Sequence, residues 1–210
     1  MNSPTQRLTL SGIMIGMGTV LSFIKVFELP YGGSVTLFSM VPVIFLGLMY
    51  GPKWGLLCGA VYGALQGLLG AVTSAAFAGQ DTVGVLGVLF LDYIVAFAVL
   101  GLAGMFRKIQ GKPVTAFALG TLAATTLRFI CHFISGVIIW GGYARSTFES
   151  VDNALSRAIL DRFTGMGLVL VYSAVYNASY MIPETALAVL AAFILASVRP
   201  VREKMFQTRT

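Results

Sequence analysis

Charged residues are scarce in this sequence. Only 10% of its 210 residues are Asp, Glu, Lys or Arg, whereas a soluble domain carries about a quarter. A chain with so few charges lacks the means to cover a surface that faces water. Hydrophobic residues make up 57% of the chain, and the mean hydropathy is +0.87. Lipid must therefore be the main solvent, so the sequence predicts an integral membrane protein.

Residues that carry out catalysis are also scarce. The chain has one histidine and two cysteines. Both cysteines, Cys58 and Cys131, lie in apolar segments, where they are typical of small packing residues. The sequence contains no P-loop and no HExxH, GxSxG or CxxC pattern. We therefore expect no metal site, no cofactor and no enzymatic activity, and uphill transport would need an external source of energy.

Six apolar runs account for most of the chain. A helix needs roughly 20 residues to cross the hydrocarbon core, and a backbone in lipid must satisfy its hydrogen bonds internally, so each run should be helical. The runs comprise residues 8–27, 37–50, 53–71, 83–106, 114–140 and 165–198. The second run is short, so we expect it to be tilted or buried by protein. The sequence thus predicts an all-α bundle of six transmembrane helices, forming one membrane domain over residues 1–210.

Basic residues predict the orientation of this bundle. The formal charge is +6, but the Lys and Arg residues occur in short clusters between the apolar runs, a distribution that argues against nucleic acid as the partner. Six spans place both termini on one side, which also holds most of the basic residues. The positive-inside rule therefore places both termini in the cytoplasm.

The longest polar stretch, residues 141–164, separates the last two runs. Within it Val151, Leu155, Ile159 and Phe163 recur every four residues. This spacing predicts a short amphipathic helix, which either lies on the outer membrane interface or extends the sixth span.

Glycines at four-residue spacing mark two helix faces. Gly12 and Gly16 lie in the first run, and the third run carries a longer series. Small residues at this spacing let helix backbones approach closely. They serve either packing within the chain or docking of another membrane protein, and we favour Gly12 and Gly16 for docking.

Few ionisable residues lie inside the apolar runs, where such residues are energetically unfavourable and usually functional. These residues are Asp92, Arg128, His132 and Glu184. Aromatic and amide side chains accompany them: Tyr93, Trp140, Tyr172, Tyr176, Asn177 and Tyr180.

Three runs place these groups at a similar depth. His132 falls in the outer half of run five, and Asp92 lies about nine residues into run four, which at 1.5 Å per residue is upper-middle depth. Run six begins outside, so Tyr172 and Asn177 fall at a comparable level. Arg128 is four residues from His132, on the same helical face. We expect an outward-facing pocket for a small, flat, polar organic ligand.

Each of these residues also has a structural interpretation. Asp92 and Arg128 could form an intramembrane ion pair, and His132 could be a satisfied packing histidine. Trp140 could belong to the aromatic belt at the membrane interface. Glu184 follows a proline within run six, so we expect it to bond backbone donors that the proline frees.

Three stretches resemble a known family. Residues 91–93 read Leu-Asp-Tyr, residues 128–140 contain a basic-x3-His-x7-Trp pattern, and residues 172–184 contain Tyr-x4-Asn. Residues 34–50 add support. Together these stretches resemble the thiamine-specific S-component of energy-coupling factor (ECF) transporters.

This resemblance implies a six-helix membrane fold that binds thiamine near the outer face of a prokaryotic plasma membrane. It implies partnership with a scaffold transmembrane subunit and two cytoplasmic ATPases, with Gly12 and Gly16 facing the scaffold. The family's binding positions fall on Asp92, Tyr93, Arg128, His132, Trp140, Tyr172 and Asn177.

The chemistry of thiamine, a cationic thiazolium joined to an aminopyrimidine, suits these residues. Asp92 would supply the counter-charge, and Trp140 would contribute ring stacking and cation–π attraction of about 0.5–2 kcal/mol. His132 and Asn177 would pair with the aminopyrimidine edge or the hydroxyl group. Arg128 would orient Asp92 or reach the hydroxyethyl arm.

The sequence departs from the family at three points. Relatives usually have glutamate at the position of Asp92, and often a tryptophan in the first outer loop, where this chain has Tyr31. The interval between Trp140 and Tyr172 is also longer than in relatives.

Three other functions remain as alternatives to thiamine binding. They are an S-component for riboflavin or a pyridoxine-like vitamin, a small membrane enzyme using Asp92 and His132 as acid and base, and a purely structural membrane subunit.

Overall fold

A computed structural model describes residues 3–29, 33–73, 76–109 and 112–206 of the chain. Its helices are α1 (Pro4–Ser22), α2 (Val41–Tyr50), α3 (Pro52–Thr73), α4 (Thr82–Lys108), α5 (Pro113–Ile138), α6 (Ala144–Val151), α7 (Ala154–Arg162), α8 (Gly165–Ser197) and α9 (Arg199–Phe206). Its strands are β1 (Lys25–Glu28) and β2 (Ser34–Thr36), and Gly141–Tyr143 forms one 3₁₀ turn.

Four helices in the described part of the chain are long and apolar enough to cross a membrane: α3, α4, α5 and α8. Their faces away from the bundle expose large apolar side chains such as Leu68, Leu86, Ile138 and Ile182. A surface of this kind is stable in lipid and not in water. The chain is therefore a membrane protein, as its composition predicts.

The second apolar run forms the centre of the bundle. Helix α2 has only 10 residues, which corresponds to about 15 Å, roughly half the hydrocarbon thickness. All residues from Val41 to Met49 are buried, and the helix packs against α3 and α4. Protein therefore surrounds α2, as one of the two interpretations of its short length predicts.

The first apolar run does not stay helical to residue 27. A capping box between Ser3 and Gln6 starts α1, but the helix ends at Ser22. Strand β1 follows and pairs antiparallel with β2, with Glu28 opposite Ser34. Pairing with β2 satisfies the backbone of this segment, so Lys-Val-Phe-Glu forms a strand instead of a further helical turn.

The glycine series of α3 packs against α4. Gly55 lies against Gly101, and Gly59 and Gly63 lie against the α4 backbone at Phe97 and Tyr93. A side chain at any of these glycines would overlap that backbone. The interpretation of this series as packing within the chain is therefore correct.

Helix α4 is irregular where it carries Asp92. It begins at the N-cap Asp81, whose side chain accepts a hydrogen bond from the Gly84 amide. The segment Leu89–Val95 has π-helical geometry, and Val99–Lys108 has 3₁₀ geometry. Wide π turns often occur at functional sites because they rotate side chains out of the regular helical register.

The segment 141–164 contains two helices, not the one amphipathic helix that the spacing predicts. Asp152 adopts a left-handed conformation (φ 42°) and ends α6. A capping box between Asn153 and Ser156 then starts α7. Of the four regularly spaced apolar residues, Ile159 is buried, whereas Val151 and Leu155 are exposed.

Candidate ligand-binding site

A cavity of about 150 Å³ opens at one end of the bundle. Helices α1, α3 and α5 run towards this end and line it with their C-terminal parts, whereas α4 and α8 start there and line it with residues 88–97 and 172–184. The hairpin contributes Lys25, Gly33, Ser34 and Thr36. The cavity therefore lies at the end of these helices that is remote from residue 4.

Asp92 is the acceptor at the centre of the cavity wall. Its Oδ1 atom lies 2.9 Å from His132 Nδ1, and its Oδ2 atom accepts hydrogen bonds from Ser135 Oγ (2.6 Å) and Trp140 Nε1 (3.3 Å). The Asp92 side chain retains 16% exposure. Three donors from α5 and the turn after it thus hold a carboxylate that still faces open space, an arrangement that stabilises its negative charge.

His132 links Asp92 to a second ionic group. Arg128 Nε donates to His132 Nε2 at 3.2 Å, so that ring nitrogen carries a lone pair. The proton of the neutral imidazole therefore resides on Nδ1, from which it is donated to Asp92. The buried histidine acts as a neutral bridge between a cation and an anion.

Arg128 forms its ion pair with Glu184, not with Asp92. Its Nη1 atom lies 3.3 Å from Glu184 Oε2, and the guanidinium group stacks over the Phe97 ring, 4.2 Å from its centroid. The alternative in which Asp92 and Arg128 form an ion pair is therefore wrong; the two residues interact through His132.

The prediction for Glu184 also needs correction. Its side chain accepts from Thr36 Oγ1 (2.6 Å) as well as from Arg128, instead of bonding backbone donors that Pro183 frees. Thr36 in turn shares a 2.5 Å hydrogen bond with Ser39. Glu184 thus joins α8 to α5 and to the hairpin, and it lines the cavity.

Asn177 is held by the surrounding protein. Its amide nitrogen donates to the carbonyl oxygens of Ser173 (2.9 Å) and His132 (3.2 Å), and its Oδ1 atom accepts from Tyr180 OH at 2.7 Å. These contacts fasten α8 to α5 beneath the cavity.

Aromatic rings form the remaining wall. Tyr172 packs against Tyr176 with 5.7 Å between ring centroids, and Tyr93 stacks on Phe77 at 5.8 Å with an interplanar angle of 14°. Trp140 is almost fully buried, with its indole directed at Asp92. Rings of this kind can accept a flat or cationic group.

All seven predicted site residues line this one cavity: Asp92, Tyr93, Arg128, His132, Trp140, Tyr172 and Asn177. Thr36 and Ser39 also line the cavity but are not among the predicted residues, because they carry no charge and merely precede a helix. Glu184 lines it in a role other than the predicted one. The expected loop residue Tyr31 lies outside the described residues.

The predicted docking glycines lie elsewhere. A side chain at Gly12 or Gly16 would have nothing within 4 Å, so this face of α1 is open.

Among residues 3–29, 33–73, 76–109 and 112–206, no group of three or more His, Cys, Asp or Glu side chains is placed to hold a metal ion.

Comparison with known proteins gives a consistent result. Residues 8–152 match the family described as Thiamine transporter protein (Thia_YuaJ). The chain is 28% identical over 205 residues to the thiamine transporter ThiT of Bacillus subtilis (strain 168), with 92% of each protein covered. It is 26% identical over 187 residues to ThiT of Lacticaseibacillus paracasei, covering 84% of this chain and 77% of that protein.

The fold is also found in a solved structure. The structure of ThiT from Listeria monocytogenes matches with a TM-score of 0.71 and 20% identity, covering 98% of this chain and 99% of that one. At this identity the match establishes the shared fold.

Proposed function

This chain belongs to the thiamine transporter protein family, and from that membership we propose that it is the subunit that captures thiamine for an ECF-type importer. A transporter family makes the chain a transport subunit and not an enzyme, so the alternative in which Asp92 and His132 act as acid and base is excluded. The family description names thiamine, which favours thiamine as the ligand over riboflavin or a pyridoxine-like vitamin.

The observation that carries this proposal is the Asp92 carboxylate. It is held by three donors, remains partly exposed, and faces a cavity with aromatic walls. The thiazolium ring of thiamine is a permanent cation, so it would lie against Asp92, with the Trp140 and Tyr172 rings beside it. Attraction between opposite charges is strong at such a site because little water screens it.

His132 and Asn177 would contact the aminopyrimidine or the hydroxyl group, and His132 would give up an existing hydrogen bond to do so. Both ring nitrogens of His132 already have protein partners, and so do both polar atoms of the Asn177 amide. Binding through His132 therefore requires one of its protein partners to be exchanged for the ligand, whereas Asn177 Oδ1 accepts from Tyr180 and can accept a second hydrogen bond from the ligand. Tyr93 and Arg128 complete the site, with Arg128 acting through His132 to orient Asp92.

Tryptophan fluorescence provides a direct test of thiamine binding. The chain has two tryptophans; Trp140 lines the cavity, whereas Trp54 stacks on Arg7 at 3.6 Å, outside the cavity wall. In a Trp54→Phe variant the remaining indole reports on the cavity alone. We expect micromolar thiamine to quench its emission and raise the unfolding temperature of the purified protein in detergent.

The matched variant Trp140→Phe keeps the distant indole and loses the reporter. Thiamine should then leave the emission unchanged, and calorimetry should show an affinity reduced by about 3- to 30-fold, the equivalent of one cation–π contact. If thiamine at micromolar concentration changes neither the emission nor the unfolding temperature of Trp54→Phe, the proposed function is wrong.

We further propose that the chain crosses the cell membrane six times and that both termini lie in the cytoplasm. The four long helices and α1 make five crossings, and α2, which is too short to cross by itself, makes the sixth together with the largely buried residues 35–40 that precede it. The distribution of Lys and Arg supports this orientation. The cavity then faces the outside, because it lies at the opposite end of the bundle from residue 4. Residues 1–210 act as one membrane domain in this proposal.

Partner subunits would supply energy and a docking surface. The scaffold subunit would meet the open face of α1 at Gly12 and Gly16, and two cytoplasmic ATPases would drive release of thiamine inwards. Helix α1 suits this role because only Ser11 and Gly18 are buried along its 19 residues. Small residues on an otherwise apolar face allow a second helix to approach closely.

Enlarging Gly16 should separate binding from transport. We expect Gly16→Leu to leave thiamine binding by the isolated chain within about twofold of wild type, because open space surrounds this position. Uptake of labelled thiamine by cells that also contain the partner subunits should fall below a tenth of the wild-type rate. Val61→Leu, an enlargement on the exposed face of α3, serves as the control and should preserve uptake. Normal uptake by Gly16→Leu would show that the partner docks elsewhere.

A further inference from the structure

We propose that Glu184 determines the charge specificity of the cavity. By neutralising Arg128 it leaves Asp92 as the one uncompensated charge on the described part of the cavity wall. Because Glu28 neutralises Lys25, this wall carries a net charge of −1 and selects a monocation. This inference rests on the proposed function and assigns a role to a residue outside the predicted binding set.

The hydrogen bonds run in one direction towards each carboxylate. Ser39 donates to Thr36, and Thr36 and Arg128 both donate to Glu184. On the other branch Arg128 donates to His132, which donates to Asp92. Because each carboxylate oxygen in this network faces a donor, both carboxylates are ionised acceptors, whereas the imidazole between them is neutral.

The charges on the described cavity wall can then be assigned. Four ionic side chains line it: Lys25, Asp92, Arg128 and Glu184. Lys25 is paired with Glu28 at 2.6 Å, and Arg128 is paired with Glu184. Asp92 alone has only neutral partners, so one negative charge remains for the ligand.

The Arg128–Glu184 pair is placed so that its loss would affect the ligand. Its side chains are only 9% and 4% exposed, so water screens their charges weakly. Replacing Glu184 by glutamine keeps the size of the side chain and an acceptor for Thr36, but leaves Arg128 uncompensated. The wall would then be neutral overall, with a buried cation that repels thiazolium.

The test compares two ligands of nearly the same shape. One is thiamine, and the other is its neutral isostere in which carbon replaces the thiazolium nitrogen. For each variant of the full chain in detergent, calorimetry gives both dissociation constants, and the readout is the preference for the cation, that is, the Kd of the isostere divided by the Kd of thiamine. A purely structural change lowers both affinities together and leaves this preference constant.

We expect Glu184→Gln to reduce the preference for the cation by about tenfold. Arg128→Gln, which raises the negative charge of the wall, should increase it by about the same factor. The double variant restores the net charge of −1, so its preference should return to within about threefold of wild type. The opposite signs of the two single changes are the signature of charge balance.

Glu203→Gln is the matched control. Glu203 also pairs with an arginine, Arg199 at 2.7 Å, but this pair lies on α9 and is exposed to solvent. The preference of Glu203→Gln for the cation should therefore equal that of wild type.

An unchanged preference in Glu184→Gln overturns this inference while leaving thiamine binding intact. If Glu184→Gln does not fold, Arg128→Gln alone provides the test. An unchanged or reduced preference for the cation in Arg128→Gln then overturns the inference equally. Failure of the wild-type chain to bind thiamine overturns the proposed function, and the charge-specificity inference falls with it.

Discussion

Asp92→Asn is expected to weaken thiamine binding by at least about 30-fold, the equivalent of about 2 kcal/mol. The substitution removes the counter-charge of the thiazolium ring. It also places an amide NH₂ where Ser135 and Trp140, or His132, now donate to a carboxylate oxygen, so at least one donor is left facing another donor. Both effects act against the cation, whereas a neutral ligand would experience only the second.

Calorimetry or Trp140 fluorescence in the purified protein measures this loss. Asp161→Asn removes the same charge from an exposed position on α7 and should leave the affinity unchanged. Asp92→Asn binding thiamine within about threefold of wild type would show that the cation is recognised elsewhere.

Gly101→Ala is expected to destabilise the fold by about 3 kcal/mol or more, with a fall in the unfolding temperature of at least about 5 °C. A methyl group at this position would overlap the backbone of Gly55 and Leu56 in α3. Backbone atoms in two packed helices have little room to move, so α3 and α4 would have to separate. The separation would shift Tyr93 and Asp92, so thiamine binding should weaken as well.

Gly12→Ala is the matched control, because the added methyl group has nothing within 4 Å. Alanine is also the better helix former, so this variant should be at least as stable as wild type. Thermal unfolding of both variants in the same detergent makes the comparison. Equal unfolding temperatures would contradict the close contact between α3 and α4.

The residues of the site could be predicted from the sequence for a physical reason. Ionisable side chains are rarely retained in apolar runs without a function, so Asp92, Arg128 and His132 stand out. Helical periodicity then places the last two on one face. The resemblance to a thiamine S-component, made on these stretches, is confirmed by the family match over residues 8–152. The contact of each residue with thiamine remains a prediction.

Which side chains pair with each other within the site could not be predicted from the sequence. Arg128 is separated by 36 residues from Asp92 and by 56 from Glu184, and nothing in the chain order indicates which carboxylate it meets. The answer depends on how α5 packs between α4 and α8. Thr36 escaped notice because an isolated threonine beside an apolar run has no distinguishing pattern.

The sequence by itself determined that the protein lies in a membrane, which helices are long and apolar, and which polar residues must avoid lipid. Hydropathy and helical spacing are local properties of the chain, so they can be read without the fold. Tertiary structure alone decided that α2 is enclosed by protein, that residues 25–28 pair with residues 34–36, and that Glu184 neutralises Arg128 and leaves Asp92 for the ligand. These outcomes depend on which helix surfaces meet, and close packing at glycines such as Gly55 and Gly101 sets those distances in three dimensions.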